Sequence, residues 1–171
     1  TFPYKKNDWR RALNMLSYSW RTFWVGIKLK EKPNVIIGTC VHPFAVLCAF
    51  LLSRCKKARF FFEVTDLWPQ TLVEMGRLSE RNPVTGGLRA LEKFLYQKAE
   101  KIITLLPYAD NYIAGLGISR DKVIWIPNGV DLSRYRKLKP YDGGISKNFT
   151  IMYLGGHSKY HHLETILDAA K

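Results

Sequence analysis

The chain has 171 residues, 47% of them hydrophobic and 13% aromatic, which is globular and excludes general disorder. Lys and Arg number 27 against 14 Asp and Glu, a net charge of +13 that calls for a polyanionic neighbour: nucleic acid, an anionic bilayer surface or phosphorylated small molecules. Three cysteines (Cys40, Cys48, Cys55) are too few and too widely spaced for a zinc site, their odd number fits a reducing compartment, and no apolar run reaches the ~18 residues of a membrane span.

Residues 7–31 place Leu13, Leu16, Trp20, Phe23, Trp24 and Ile27 at helical intervals among Arg10, Arg11, Arg21, Lys28 and Lys30, a basic amphipathic helix ended by Lys32-Pro33. Its aromatics have two readings. They form the stripe of a helix that covers a sheet, or they lie on a lipid headgroup layer with the cations meeting phosphates. Residues 34–38 read as a short buried strand. His42-Pro43 opens a core helix over 44–52 that closes on Arg54, Lys56 and Lys57, and Cys48 and Cys55 on one of its faces read as small buried hydrophobes. A strand over 59–64 then empties into the loop Thr65-Asp66-Leu67-Trp68-Pro69.

Asn82 and Pro83 supply the cap and first turn of a helix running to about Glu100, with an early interruption expected at Gly86-Gly87. A strand over 101–106, a helix over 107–116 capped by Gly117, and a strand over 122–126 follow. Strands that look apolar throughout, alternating with helices, imply a parallel sheet covered on both faces. At Pro127-Asn128-Gly129 the chain turns, proline ending the strand and Asn-Gly tolerating positive φ. A second unit is expected beyond the polar stretch 133–147: a buried strand over 149–154 running into Gly155-Gly156, whose turn opens a helix.

Four motifs stand in fixed order: Asp66-Leu67-Trp68-Pro69; Leu91-Glu92-Lys93-Phe94-Leu95-Tyr96 leading to Lys101-Ile102-Ile103; Pro127-Asn128-Gly129-Val130-Asp131; and Tyr153-Leu154-Gly155-Gly156-His157. Together they resemble the retaining family-4 glycosyltransferases of the GT-B type, particularly those of bacterial capsule, exopolysaccharide and O-antigen synthesis. The resemblance implies an N-terminal Rossmann-like domain on the acceptor side, of which residues 1–138 are the later part. It implies a linker over 139–147 and, over 148–171, the first strand and helix of a nucleotide-sugar-binding domain. The chain begins at Thr1 and ends inside a helix, and it lacks the family's first strand with its glycine-rich loop and its paired-glutamate motif. It therefore reads as a fragment not expected to turn over substrate alone.

A leaving nucleoside diphosphate needs backbone N–H groups, a helix N-terminus and a cation around its growing charge. Gly155, Gly156, His157, Ser158 and Lys159 are candidates for that role, with Asn128 and Gly129 at the hinge. Where many relatives carry Arg after the first glycine this chain has Gly156, so Lys159 or His161 is the substitute cation to consider. On the acceptor side, Asp66 at the carboxyl end of a strand can orient or deprotonate a hydroxyl, Trp68 can stack on a sugar ring and Glu74 can hydrogen-bond hydroxyls. The structural alternatives are that Asp66 caps the next helix and Trp68 is core. His42, after the preceding strand, either faces the same cleft or is a local cap. No residues have metal-ligand spacing and none form a Ser-His-Asp set, and the resemblance implies no cofactor, the nucleotide sugar being substrate.

The expected partners are a nucleotide-sugar donor, a lipid-linked sugar acceptor and an anionic membrane surface, which places the protein in the cytoplasm on the inner face of the membrane. Nucleic acid is disfavoured because the aromatics lie on apolar faces rather than alternating with basic residues on an exposed sheet. A GT-B-shaped nucleotide-sugar epimerase and a non-catalytic membrane-docking module are the rival readings.

Overall fold

A computed structural model describes residues 2–3, 9–136, 150–157 and 161–170. The chain divides into two compact units, Thr1–Asn128 and Gly129–Lys171, the division falling inside the Asn-Gly dipeptide.

The first unit is an α/β domain. Its strands β1 (Val35–Thr39), β2 (Arg59–Val64), β3 (Lys101–Thr104) and β4 (Val123–Trp125) form one parallel sheet in the linear order β1-β2-β3-β4. Helix α1 (Trp9–Lys28) precedes the sheet, α2 (Pro43–Lys56) joins β1 to β2, α3 (Gln70–Glu74) and α4 (Pro83–Lys98) join β2 to β3, and α5 (Ala109–Gly115) joins β3 to β4.

The helix boundaries are set by local chemistry. His42 caps α2 and Asn82 caps α4, each side chain accepting a backbone N–H of the first turn, and proline occupies the first helical position in both. Lys57 closes α2 in the left-handed region, and Gly117 at φ +83 follows α5, its N–H reaching Ala114 O at 2.9 Å. Gly86 and Gly87, the fourth and fifth residues of a helix already capped at Asn82, do not interrupt α4.

Registered pairs put Gly38, Phe62 and Ile102 on one face and Thr39, Glu63 and Ile103 on the other. The first face holds the core. Phe60, Phe62, Val64 and Ile102 pack with Val46 and Ala49 of α2, Leu95 and Tyr96 of α4 and Ile113 of α5, the Phe62 and Tyr96 rings lying 4.7 Å apart. The second face is open among the described residues: Ile37 and Ile124 are exposed, and Arg59, Phe61 and Glu63 are exposed or half-buried. The expectation of two covered faces is therefore corrected. Sequential strand order with crossovers of one hand lays every connecting helix on the same side. Arg59, Glu63 and Lys101, alternating with apolar neighbours, carry that one-sidedness in the sequence.

Two glycines mark close approaches. A Cβ on Gly38 would stand 3.0 Å from Ala49 Cβ and 3.1 Å from Val46 Cγ1, and one on Gly26 would stand 2.8 Å from Leu52 Cδ1, so α2 lies tight against both β1 and α1. Cys40 and Cys48 are buried; Cys55, in the last turn of α2, is exposed, contrary to the reading of it as a buried hydrophobe.

In the second unit α6 (Leu163–Ala169) forms, but residues 150–157 carry no strand and Ile151, Met152 and Leu154 are exposed. The strand expected over 149–154 is corrected on its described part. A strand satisfies its N–H and C=O groups only on a neighbour, and no described residue pairs with this one. Helix α6 starts at Leu163 after His162, and residues 158–160, where a helix opened by Gly155-Gly156 would begin, lie outside the described residues. Neither Asn128 nor Gly129 takes a left-handed φ; among the described residues the glycines that do are Gly76 and Gly117. The linker expected over 139–147 lies outside the described residues.

Gly38→Val should destabilise the first unit by about 1–3 kcal/mol through overpacking. Gly86→Ala, with nothing within 4 Å of the added methyl, should stabilise it by about 0.5–1 kcal/mol. Urea unfolding of the two variants checks both signs.

Candidate functional site

The carboxyl ends of the strands are knitted into one rim. Thr39 Oγ1 donates to Glu63 Oε2 at 2.5 Å, Thr65 Oγ1 to Cys40 O at 2.8 Å, Leu105 N to Val64 O at 3.3 Å and Ile126 N to Thr104 O at 2.9 Å. These bonds hold the segment after β1, which carries His42, beside the segment after β2, which carries Asp66.

His42 is buried, and its Nδ1 accepts from Ala45 N at 3.2 Å, so the local-cap reading describes what its ring does. The ring also lines a cavity of about 620 Å³ between α1, the outer edge of β1 and α2, together with Arg11, Asn14, Tyr18 and Thr39. Burial, with Arg11 adding to it, pushes the imidazole pKa down and keeps the ring neutral.

Asp66 is exposed. Its backbone carbonyl accepts from Trp68 N at 3.1 Å, and α3 opens without a side-chain cap, so the carboxylate is not consumed as one. Trp68 is half-buried and packs against the core, as its structural alternative held. Glu74 is exposed at the end of α3 and accepts from Gln70 Nε2 at 2.8 Å. Asp66, Trp68 and Glu74 thus share one segment, whereas none of them lines the cavity that holds His42.

In the second unit, Tyr153 Oη donates to Gly156 O at 3.2 Å, and the Tyr153 and His157 rings meet edge-on at 5.8 Å, folding the Gly155-Gly156 turn back on the preceding segment. His161 lies beside Gly156, where an added Cβ would meet its Cε1 at 3.5 Å. Gly155, Gly156, His157 and His161 are therefore neighbours, and Ser158 and Lys159 lie outside the described residues. Among the described residues no group of three or more His, Cys, Asp or Glu could hold a metal ion.

Sequence reasoning passed over Glu92. It is 3% exposed on the inward face of α4, and it accepts from Tyr96 Oη at 3.1 Å and from Tyr112 Oη at 2.9 Å. Burial raises its carboxyl pKa from the ordinary 4.5 to about 7, against the lowering pull of the two hydroxyls and of Arg89. The same carboxylate adds to the burial that pushes Cys40 up to about 12, with Asp66 adding further. The signal was available: Glu92 falls in the apolar stripe that contains Leu88, Leu95 and Tyr96.

A parallel α/β sheet whose strand ends carry an acidic loop after β2 is an arrangement many enzymes share. What decides the family is that the model of Glycosyltransferase Family 4 matches residues 3–134, the greater part of the chain. The chain belongs to glycosyltransferase family 4. No curated protein matches it. The family match takes in His42, Asp66, Trp68, Glu74 and Glu92 as well as Asn128 and Gly129, and it ends before Gly155. Family-4 chemistry is glycosyl transfer, which takes a nucleotide-sugar donor and an acceptor as its substrates.

Because the folded chain keeps the Glu92 proton up to about pH 7 while the unfolded chain loses it near 4.5, this group's stabilisation is complete below about 4.5 and is lost as pH rises through 7. The size is about 3 kcal/mol. His42 acts in the opposite sense, its stabilisation being present above 6.5 and lost as pH falls. The Glu92 share is therefore read from the difference between wild type and Glu92→Gln: urea unfolding at pH 5 and pH 8 should give a loss on raising pH that is smaller in the variant.

Proposed function

We propose that the protein serves a retaining glycosyltransferase that moves a sugar from a nucleotide donor to a lipid-linked glycan in surface polysaccharide synthesis, working on the inner face of the cytoplasmic membrane. The observation that carries this reading is an exposed apolar row along α1. Trp9, Leu13, Leu16, Trp20 and Trp24 recur there every three or four residues and are all exposed, Trp9 at 66% and Trp20 at 63%. Arg10, Arg21 and Lys28 are exposed on the same helix. A soluble domain rarely leaves such an apolar row in water, whereas a headgroup layer accepts indole rings at the interface and cations at the phosphates. The net charge of +13 favours the anionic leaflet. No described helix is long and apolar enough to cross a membrane, so contact through α1 is a surface contact.

Inward of that surface, the exposed Asp66 carboxylate is suited to orienting the attacking hydroxyl, with Glu74 hydrogen-bonding its neighbours and the exposed part of Trp68 lying against the sugar ring. The donor diphosphate is assigned to Gly155, Gly156, His157, Ser158 and Lys159, with His161 as a second cation source and Asn128 and Gly129 at the bend before it. Backbone N–H groups there would meet the charge that grows on the leaving group.

Flotation with vesicles tests the membrane part. The chain should float with anionic vesicles and much less with neutral ones, and Trp20→Ser with Trp24→Ser should weaken binding about tenfold or more. Binding to labelled DNA at equal salt, without flotation, would overturn this reading. Transfer of label from nucleotide sugars to a polyprenyl-diphosphate-linked sugar tests the chemistry, and Asp66→Asn should lower kcat by about 10²–10⁴-fold. A product formed from donor alone would instead point to an epimerase.

A further inference from the structure

The hydrogen bonds at Glu92 do not end with the tyrosines. Tyr112 Oη, which donates to Glu92, also accepts from Arg89 Nη1 at 3.5 Å. Arg89 Nη2 in turn donates to Gln70 Oε1 at 2.8 Å and to Glu80 Oε1 at 2.6 Å, and Gln70 Nε2 donates to Glu74 Oε1 at 2.8 Å. An unbroken chain of polar contacts thus runs from a buried carboxyl on α4, across α5, to both ends of α3, the helix that directly follows Asp66 and Trp68.

We propose that Glu92 is a positioning residue: its charge, relayed by Tyr112 and Arg89, sets where Gln70 and Glu74 hold α3. The role given to α3 rests on the reading that 66–74 faces the acceptor; the relay itself does not. When Glu92 is ionised, Tyr112 donates to it and turns its lone pairs to the guanidinium. Arg89 is then drawn inward and stays within reach of Gln70. When Glu92 takes a proton from solvent, its carboxyl becomes a donor in its own right, Tyr112 is released from donating, and the inward pull on Arg89 is gone. The remaining ion partner of Arg89 is Glu80, which is 58% exposed, so the guanidinium swings outward and Gln70 loses its anchor.

The groups that face Glu92 are few. Its own helix supplies Arg89 and Tyr96, α5 supplies Tyr112, and the segment after β1 supplies Cys40, with Asp66 acting on Cys40 rather than on Glu92. Cys40 and the two tyrosines all titrate above their ordinary values, so across neutral pH the carboxyl is the member of this set that changes charge.

The test follows the Gln70 side-chain amide and the Trp68 indole N–H by NMR between pH 5 and 9. In the wild type both resonances should shift with one midpoint near 7, the value at which Glu92 titrates. Glu92→Gln should abolish the shift. Tyr112→Phe, which keeps the ring, should leave the Glu92 carboxyl carbon titrating while the Gln70 amide stands still. The proposal is overturned if the Gln70 amide does not move in the wild type, or if it moves unchanged in either variant. No substrate enters these measurements, so failure of the relay leaves the transferase reading intact, and failure of the transfer assay leaves the relay intact.

Discussion

One face of a four-stranded parallel sheet buried under α2, α4 and α5 is the constraint from which the rest of the first unit follows. Phe60, Phe62 and Val64 press into those helices, and the linear strand order obliges the helices to share that face. Because the helices crowd one side, α2 lies so close to β1 that a Cβ at position 38 would press on Ala49 and Val46. α1 then packs on α2 through Gly26, and its tryptophans are left exposed. The basic aromatic surface and the sheet core are thus two results of one packing arrangement.

Within that core Glu92 is the costly element. Burial of a carboxyl is unfavourable, and two phenol hydroxyls offset only part of the cost, which is why its affinity for a proton rises so far. A leucine there would pack without that penalty. The carboxyl is bound instead to Tyr112, and through it to Arg89 and the segment that follows Asp66. A group that weakens the fold while linked through Tyr112 and Arg89 to Gln70 has an interest beyond stability.

Much of this was legible in the residues, and what was not has physical causes. The caps His42-Pro43 and Asn82-Pro83 fix helix starts through contacts within one turn, so a reader of sequence can find them. All the strands of the sheet were likewise visible as short β-branched and aromatic runs. The coverage of the sheet was misjudged because Phe60-Phe61-Phe62 hides the alternation that Arg59 and Glu63 reveal. Residues 149–154 look like a strand, but strand formation depends on a neighbour that no local pattern supplies. His42 illustrates a third limit: its position after β1 is readable, whereas its ring's engagement with Ala45 N is a matter of rotamer and packing. Glu92 was overlooked for a related reason, since a charged residue in a helix is assumed to face water unless its place in the apolar stripe is counted.

The linear strand order has a consequence for how such a rim can change. At the carboxyl side each strand end is bonded to the next in the chain, as Thr39 with Glu63, Thr65 with Cys40, Leu105 with Val64, and Ile126 with Thr104 show. Spatial adjacency therefore repeats chain adjacency. An exchange of the stretch between β2 and α4 for one of different length would disturb two neighbouring connections and leave the far end of the sheet untouched. A scaffold wired in this way lets the rim be altered by replacing one segment at a time.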